Sequence, residues 1–495
     1  MNARIAVVGG GISGLSAAHR LRTLLPEARI TLLERADRLG GVLRTVELAG
    51  RAFDVGAEAF LVRRPELTEL AAELGLRFVH PTAATPTVRA GGRTVGLPTS
   101  TLMGVPGSAA RLAEVLSPVG LARTAAERHR PLRWEAGEDV VLGELLRSRL
   151  GEEPADRLAD PLLGGVYAGR VDALGLRATI PQLALALDAG ASSLTAAVDS
   201  VLATQRAASQ APVEEPALPV RPADRAVGGV VSPAGGVPAP QPVFGAFPDG
   251  YRELVDALTV ACGAEIRLGA TVRELARTSS GWRLTLGPTT APETLDVDAV
   301  VLAVPAPATA RLLTAVASGA ASAAGKIELA SSVVVALAYR ASDAATLPAT
   351  SGVLVAADEP LSVKAVTHSC RKWAHLASAD GLLRIRASLG RFGEVATLQA
   401  DDATLVARAR ADLAELAGIT AAPVDVVVQR WGGGLPQYAV GHLDRVQAIE
   451  DGLPDRLAVA GSALHGVGVP ACVGTARRAA QRVAHALTTS AAAGR

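Results

Sequence analysis

Residues 5–14 read IAVVGGGISG, and this stretch decides the fold class. Ile5–Val8 is a short, continuous apolar run, which is typical of a strand buried on both faces of a parallel sheet. Leu15–Leu25 carries apolar residues at helical spacing, and Ile30–Leu33 is a second apolar run. The order strand, helix, strand over about 30 residues predicts a β-α-β unit.

The glycines between the first strand and the helix follow the spacing Gly9-x-Gly11-x-x-Gly14. At this spacing the first glycine permits a tight turn, the second lets the backbone approach a pyrophosphate, and the third lets helix and strand pack closely. Glu34 ends the second strand, where its carboxylate can accept a hydrogen bond from a ribose hydroxyl. A bare structural turn is the alternative, but strand, helix, second strand and acid together favour a Rossmann-type dinucleotide site.

Two further glycine-rich segments fit the same site. Arg38-Leu39-Gly40-Gly41 allows a second close backbone approach to the dinucleotide, and Gly466–Cys472 lies between the predicted strand Leu457–Ala460 and a helix. The N-terminus of that helix suits the anionic edge of a flavin ring. Each segment alone is also explained by an ordinary loop. Because no second GxGxxG follows another strand, oxygen or another external electron acceptor is favoured over a nicotinamide.

The composition excludes several classes of protein. The 495 residues include 49 Lys and Arg against 48 Asp and Glu, so the basic excess of a nucleic-acid binder is absent. The eight histidines form no HExxH motif and the three cysteines no CxxC, which argues against a metal site or a disulfide scaffold. We find no secretion signal and no apolar run of membrane-spanning length, so we expect a cytoplasmic protein.

The rest of the chain divides by composition. Residues 98–200 contain short helix-like stretches such as Leu142–Leu150 and predict a helical subdomain, whereas 205–243 are rich in Pro, Ala and Gly and predict a flexible insertion. Ser332–Tyr339 and Leu382–Leu389 are predicted strands of a second sheet. The remaining predicted elements are the strands Glu265–Leu268, Trp282–Leu286 and Ala299–Val304 and the helices Leu183–Leu187, Ala403–Ala417 and Thr475–Leu487.

Longer stretches of the sequence resemble a known family. The RxGG motif after the Rossmann unit, with the glycine-rich segment near residue 466, is similar to the pattern of flavin amine oxidases and phytoene desaturases. Within that superfamily the chain resembles the protoporphyrinogen and coproporphyrinogen oxidases, and most of all the Gram-positive-type coproporphyrinogen oxidases. The resembling stretches are FDVGAEAFL (53–61), DPLLGGVYAGRVDALGLRATIPQL (160–183), RKWAH (371–375), QRWGGGLPQYAVGH (429–442) and GVGVPACV (466–473).

The resemblance implies that the chain binds FAD, and it implies where the contacts lie. The implied contact residues are Gly9, Gly10, Gly11, Ile12, Ser13, Gly14 and Leu15 through the backbone, Glu34 and Arg35 at the adenosine ribose, Val272 at the adenine, Gly41, Arg44, Gly56, Ala57, Glu58 and Ala59 along the dinucleotide, and Trp431, Val467, Gly468 and Val469 beside the flavin ring. The chain departs from the family at Ala57, where a proline is frequent, and at Ala471, where an aspartate is frequent. For a single tryptophan such as Trp373 or Trp431, a core aromatic residue is the better default interpretation.

We expect an α/β fold with a discontinuous Rossmann-type FAD-binding domain (1–64, 244–304 and 428–495). The other expected parts are an α+β substrate-binding domain (65–97 and 305–427) and the helical subdomain (98–200). This subdomain resembles the membrane-associating part of the family, but it lacks a strongly amphipathic basic helix, so a peripheral membrane contact is the expectation. A transient contact with the next heme-pathway enzyme is a further expectation, and no metal ion is expected.

The resemblance implies a six-electron oxidation of a porphyrinogen to a porphyrin in heme biosynthesis, with O2 as acceptor and H2O2 as product. Coproporphyrinogen III is expected over protoporphyrinogen IX, because residues 97–104 (LPTSTLMG) lack the arginine that eukaryotic protoporphyrinogen oxidases carry there. The candidates to meet the additional propionates are Arg63, Arg64, Arg170, Arg177 and Lys372. No catalytic base is identified.

The alternatives are a protoporphyrinogen IX oxidase, another flavin oxidase or desaturase that acts on amines or polyenes, and a non-enzymatic FAD-fold binder similar to the prenyl-GTPase escort proteins. Only a porphyrinogen oxidase yields a fluorescent tetrapyrrole. A purified protein that is colourless and cannot be reconstituted with FAD favours the non-enzymatic alternative.

Overall fold

The computed structural model of the protein describes residues 2–210, 242–377 and 379–493. Of the predicted insertion 205–243, residues 211–241 therefore lie outside the described residues. Residues 205–210 belong to a helix, Leu194–Gln210, so the helix that precedes the insertion is longer than the composition indicates.

The strands are mostly short and are spread over the whole chain. They are β1 (Arg4–Val8), β2 (Arg29–Leu33), β3 (Thr45–Leu48), β4 (Arg51–Asp54), β5 (Phe60–Leu61), β6 (Pro86–Ala90), β7 (Arg93–Gly96), β8 (Thr101–Leu102), β9 (Val105–Pro106), β10 (Phe244–Gly245), β11 (Glu265–Arg267), β12 (Val272–Arg277), β13 (Trp282–Leu286), β14 (Glu293–Val297), β15 (Ala299–Leu302), β16 (Leu329–Arg340), β17 (Gly352–Val355), β18 (Val363–Thr367), β19 (Leu382–Leu389), β20 (Asp425–Pro436) and β21 (Leu457–Val459).

The helices are also spread along the chain, and the longest run of consecutive helices lies between residues 118 and 210. They are α1 (Ile12–Leu24), α2 (Pro65–Glu73), α3 (Pro118–Ala126), α4 (Leu142–Leu150), α5 (Glu152–Pro154), α6 (Asp160–Tyr167), α7 (Leu176–Thr179), α8 (Pro181–Asp188), α9 (Leu194–Gln210), α10 (Arg252–Ala261), α11 (Ala306–Leu313), α12 (Ser318–Gly325), α13 (Ser369–Lys372), α14 (Val395–Gln399), α15 (Asp402–Ala417), α16 (His442–Asp451) and α17 (Val469–Ala493).

A parallel sheet of the order β11-β2-β1-β15-β21 confirms the predicted Rossmann-type domain. The central strand β1 is buried on both faces: Ile5 and Val7 pack into the core that α1 and α17 cover, and Ala6 and Val8 pack into the core on the opposite side. The apolar residues therefore follow one another without alternation, because both sides of the strand are covered.

A second, mostly antiparallel sheet has the order β20-β16-β19-β18-β17-β6-β7. Strand β16 alternates between two cores, since Val333 and Val335 pack towards α15, whereas Val334 and Ala336 pack towards the β3–β4 hairpin of the first domain. This period of two is the pattern of a sheet with different neighbours on its two faces. The predicted α+β domain is therefore stacked on the first domain through an apolar core that both contribute to.

The structure moves three of the predicted domain limits. Leu67 and Leu70 of α2 pack in the α1–α17 core, and Leu312 of α11 with Ala320 of α12 packs beneath the parallel sheet. All of these residues had been assigned to the substrate domain. Strand β20, in contrast, pairs with β16 in the second sheet, although residues from 428 onward had been assigned to the cofactor domain.

The carboxylate of Glu127 is buried in the helical subdomain and connects several of its segments by hydrogen bonds. The side chain of Glu127 is fully buried, and its Oε1 accepts hydrogen bonds from Arg149 (Nη2, 2.7 Å) and from the Leu194 N–H (2.8 Å). Its Oε2 accepts from the Thr195 N–H and hydroxyl at 3.1 and 2.8 Å. Burial alone raises the pKa of Glu127, but the bonds from Arg149, Leu194 and Thr195 outweigh burial and place it below the ordinary value.

We predict that Glu127→Gln destabilises the protein by about 3–5 kcal/mol, because it leaves the buried Arg149 guanidinium without its counter-charge. Since the pKa of Glu127 is lowered in the folded state, its contribution is present above the pKa of an unfolded glutamate and is lost as the pH falls. Urea unfolding at several pH values should therefore show the largest difference from wild type near neutrality and a smaller one in acid. Glu144→Gln, at an exposed position of α4, is the control; a Glu127→Gln midpoint equal to that of wild type contradicts the prediction.

Candidate functional site

In the glycine loop after β1, backbone segments pass so close to one another that no side chain fits between them. A Cβ on Gly14 would lie 1.8 Å from the carbonyl oxygen of Gly9, and a Cβ on Gly9 (φ +106°) would lie 2.3 Å from that of Ala303. Gly11 differs, because a Cβ there would meet only the Gly41 Cα, at 3.8 Å. Gly9 and Gly14 are therefore required by the fold, and Gly11 opens onto space that a ligand can use.

The start of α1 faces this space with unused backbone donors. The first α-helical hydrogen bond runs from the Leu15 N–H to the Gly11 carbonyl, which leaves the N–H groups of Ile12, Ser13 and Gly14 without intrahelical acceptors. These donors and the helix dipole favour a phosphate group. The side chains of Ile12 and Leu15 are buried in the core, so the structure permits only their backbone to contact a ligand.

Glu34 is held at the glycine loop. Its Oε2 accepts a hydrogen bond from the Gly10 N–H at 2.6 Å, and its Oε1 accepts one from the Ala36 N–H at 2.8 Å. The carboxylate therefore lies at the carboxyl end of β2, where the sequence predicts it. Arg35 next to it is exposed, and its contact with the ribose stays a prediction.

The second glycine pair closes over the first loop. The Gly40 N–H donates to the Gly10 carbonyl at 2.9 Å, and a Cβ on Gly41 would lie 3.1 Å from the Gly11 Cα. Arg38 fixes this turn, because its guanidinium donates to the Gly41 carbonyl at 2.7 Å. The two glycine segments thus form one backbone-lined cradle, which fits the pyrophosphate of a dinucleotide.

The predicted segment Gly56–Ala59 lies beside the Trp431 strand. A Cβ on Gly56 would lie 2.0 Å from the Val42 carbonyl oxygen, so this glycine allows another backbone crossing. Trp431 donates from Nε1 to the Val55 carbonyl at 2.8 Å. The structure therefore brings Gly56 and Trp431 together, although Gly56 lies in the loop after β4 and Trp431 lies in β20 of the second sheet.

Arg44 contacts the Trp431 strand as well. It is exposed, and its Nη1 donates to the Gln429 side-chain carbonyl at 2.7 Å. Val272, in contrast, has its side chain buried in the core with Val8 and Leu33. Only the backbone of Val272 is left for the predicted adenine contact.

Glu58 joins the two domains. Its carboxylate accepts a hydrogen bond from Trp373 Nε1 and lies 3.1 Å from Lys372 Nζ and 3.9 Å from the guanidinium of Arg386. Burial raises the pKa of Glu58, but the charges of Lys372 and Arg386 outweigh burial and lower it below the ordinary value. Arg386 is not among the predicted site residues, and its one signal in the sequence is an arginine at alternate positions of the apolar strand LLRIRASL.

A small cavity lies behind this ion pair. Its lining includes Asp54, Glu58, Ser369 and His375, and its volume of about 20 Å³ has room for about one water molecule. Within the described residues, Ser369 Oγ and His375 Nδ1 have no hydrogen-bond partner. Burial raises the pKa of Asp54 to about 7, against the opposing effect of hydrogen bonds from Thr45 and Tyr251.

The glycine-rich segment before α17 returns to the start of α1. Val467 contacts the core of the helical subdomain, and Val469 begins α17 and is buried. Cys472 is buried and its Sγ donates to the Val467 carbonyl at 3.9 Å, and α17 packs against α1 in the same core. The segment that precedes α17, including Gly468, therefore lies at the edge of the same site.

The described part of the chain contains no group of three His, Cys, Asp or Glu residues that could hold a metal ion. None of its helices is both long and apolar enough to cross a bilayer.

Comparison with known proteins gives concordant relatives. The model of the family described as flavin containing amine oxidoreductase matches residues 12–484. The chain is 44% identical over 476 residues to a coproporphyrinogen III oxidase of Mycobacterium leprae, with 96% of each chain covered. It is 45% identical over 487 residues to that of Mycobacterium tuberculosis, with 97% of each covered. A solved structure from Exiguobacterium sp. 255-15 superposes with a TM-score of 0.79 at 27% identity, covering 98% of this chain and 99% of that one.

We predict that Gly11→Val abolishes FAD retention and leaves the fold intact, because the side chain would enter open space between the glycine segments. The measurements are the ratio of flavin to protein absorbance after purification and the thermal midpoint. Gly96→Val, on an edge strand where a Cβ meets nothing within 4 Å, is the matched control. A Gly11→Val protein that retains a full complement of flavin contradicts the prediction.

Proposed function

Since this chain belongs to the flavin-containing amine oxidoreductase family, we propose that it oxidises coproporphyrinogen III to coproporphyrin III. It is an oxidoreductase of the porphyrinogen oxidase group, and its cofactor is FAD. One observation carries the proposal: identity of 44–45% to mycobacterial coproporphyrinogen III oxidases extends over nearly the whole of both chains.

The proposed reaction is coproporphyrinogen III + 3 O2 → coproporphyrin III + 3 H2O2, a loss of six electrons and six hydrogens by the substrate. Bound FAD supplies the two-electron oxidation, which occurs three times. The chain's own groups bind and orient: the N–H donors at the start of α1 hold the pyrophosphate, Glu34 accepts from the ribose, and Arg44 and Gly56 line the remaining path. Oxygen is the proposed acceptor because the sequence carries no second dinucleotide fingerprint.

The five side chains predicted to bind the substrate propionates differ in whether they already form an ion pair with a carboxylate of the protein. Four of the five predicted candidates are paired with a carboxylate; these pairs are Arg64–Glu66 (2.9 Å), Arg170–Glu394 (2.9 Å), Arg177–Asp188 (2.7 Å) and Lys372–Glu58 (3.1 Å). Arg63 is exposed and forms no ion pair with any described residue. Its neighbour Arg64 reaches the glycine-rich segment before α17, since a Cβ on Gly466 would lie 3.8 Å from its Nη1. We therefore propose Arg63 as the residue that meets a propionate at the mouth of the site.

A peripheral membrane contact and a transient contact with the next heme-pathway enzyme stay proposals, as does a location in the cytoplasm. The exposed apolar side chains Val119 and Leu185 of the helical subdomain are the groups that a membrane contact would use.

The direct test is oxygen uptake and porphyrin fluorescence with purified, flavin-loaded protein. We expect coproporphyrin formation with about one H2O2 per O2 consumed, and a higher kcat/KM for coproporphyrinogen III than for protoporphyrinogen IX measured side by side. A preference for protoporphyrinogen IX refutes the proposed substrate, and turnover of amines without porphyrin formation refutes the proposed function. Gly11→Val protein should produce porphyrin only at the uncatalysed rate.

For Arg63→Gln we expect KM for coproporphyrinogen III to rise by roughly threefold to tenfold with little change in kcat, because an exposed charge-assisted hydrogen bond is lost in the ground and transition states alike. The KM for protoporphyrinogen IX, which has fewer propionates, should rise less. Arg408→Gln, on the outer side of α15, is the control. An unchanged KM for coproporphyrinogen III would rule out this role for Arg63.

A further inference from the structure

The loop between β21 and α17 is fastened by one tyrosine hydroxyl. Tyr438 donates from its Oη to the Ser462 carbonyl at 2.6 Å and accepts from the Gly466 N–H at 2.8 Å. The residue is almost fully buried. A single phenol group therefore bridges two points of the loop that leads into Val467 and Val469.

His442 supports the same loop from the next turn of the chain. Its ring is stacked on the Tyr438 ring, with centroids 3.8 Å apart and planes inclined by 17°, and its Nε2 lies 3.1 Å from the Leu464 carbonyl oxygen. Burial lowers the pKa of His442 to about 4, so the ring is neutral near pH 7 and its proton lies on Nε2, facing the carbonyl. The two stacked rings thus hold Ser462, Leu464 and Gly466.

The other side of Tyr438 is fixed to the helical subdomain. Its carbonyl accepts from the Gly175 N–H at 2.7 Å, and its ring lies 5.3 Å from the ring of Tyr167. The preceding residue, Gln437, donates from Nε2 to the Tyr167 carbonyl at 2.8 Å. Tyr438 therefore links the loop to the helical subdomain, and the position of its ring depends on the contacts with Gly175 and Tyr167.

We propose that Tyr438 is a positioning residue for FAD, whose hydroxyl sets the loop 462–469 against the flavin edge and links that loop to the helical subdomain. The proposal rests on the FAD part of the proposed function and not on the identity of the substrate. Tyr438 itself needs no contact with the cofactor, because it acts through the Ser462 carbonyl and the Gly466 N–H.

Tyr438→Phe separates this role from packing. The phenyl ring keeps the stack on His442 and the contact with Tyr167, and only the hydroxyl is lost. The Ser462 carbonyl and the Gly466 N–H then lose their partner, and the loop moves to recover hydrogen bonds. Tyr167→Phe is the matched control, because it also removes a buried tyrosine hydroxyl, and that hydroxyl makes no hydrogen bond to the loop among the residues that the structure describes.

The experiment measures FAD dissociation by flavin fluorescence, the visible flavin absorption band and the flavin reduction potential, with the thermal midpoint alongside. For Tyr438→Phe we expect about tenfold weaker FAD binding and a shifted absorption band and potential. Tyr167→Phe should match wild type in all three flavin properties. If Tyr438→Phe lowers only the thermal midpoint and leaves the flavin properties as in wild type, the tyrosine is merely structural and the inference is overturned.

His442→Phe keeps the proposal testable if Tyr438→Phe does not fold. It preserves an aromatic stack and removes only the bond to the Leu464 carbonyl, so we expect a smaller change of FAD affinity in the same direction. Where Tyr438→Phe does not fold, unchanged FAD affinity of His442→Phe overturns the inference that the hydrogen bonds of this loop position the cofactor. Because no substrate is present, these measurements are independent of porphyrinogen turnover. A wild-type protein that binds FAD but oxidises no porphyrinogen would refute the proposed function and leave the role of Tyr438 standing.

Discussion

The contact between Gly14 and the Gly9 carbonyl is the constraint on which the rest of the architecture depends. No side chain fits there, since a Cβ would lie 1.8 Å from the oxygen, so the first turn of α1 lies against the loop after β1 through backbone atoms. This closeness sets the helix over the parallel sheet, and α17 then packs against α1 in the same core. The loops that precede these two helices consequently meet at one end of the sheet. The other segments of the site lie around the place where these two loops meet.

Directed hydrogen bonds add to apolar packing at the interface between the β3–β4 hairpin and the second sheet. The side chain of Arg384 is fully buried and donates to the Leu48 and Ala49 carbonyls of the β3–β4 hairpin at 3.1 and 2.7 Å. Arg386, two residues along the same strand, faces Glu58. Apolar burial on this face already specifies which residues meet, and a shift of the two surfaces would also break these bonds. The second domain is therefore held in a fixed position relative to the segment that carries Gly56.

The spacing of apolar residues predicted helices and strands well where one or both faces of the element are apolar. The limits of Leu142–Leu150, Trp282–Leu286 and Leu382–Leu389 agree with the structure at both ends. Strand β20 was missed because the glycines in QRWGGGLP weaken a strand pattern, and its pairing with β16 overrides that local preference.

The site was predictable in its glycines and in Glu34, because the dinucleotide fingerprint is a local motif. Arg386, Tyr438 and His442 could not be inferred in the same way. Their partners, such as Glu58 for Arg386, lie far away in the sequence, and no spacing rule links them. The packing of α2 and α11 is equally hard to infer from the sequence, since both helices pack in cores formed by distant segments.

The order of strands in the parallel sheet has a consequence for folding. The edge strand β21 pairs with β15, and the helix that follows it, α17, covers one apolar face of β1 and α1, from which it is far apart in the sequence. Contacts between such distant segments form slowly, because a long loop has to close first. Until α17 packs, that apolar face lacks part of its cover, and an exposed apolar face promotes aggregation.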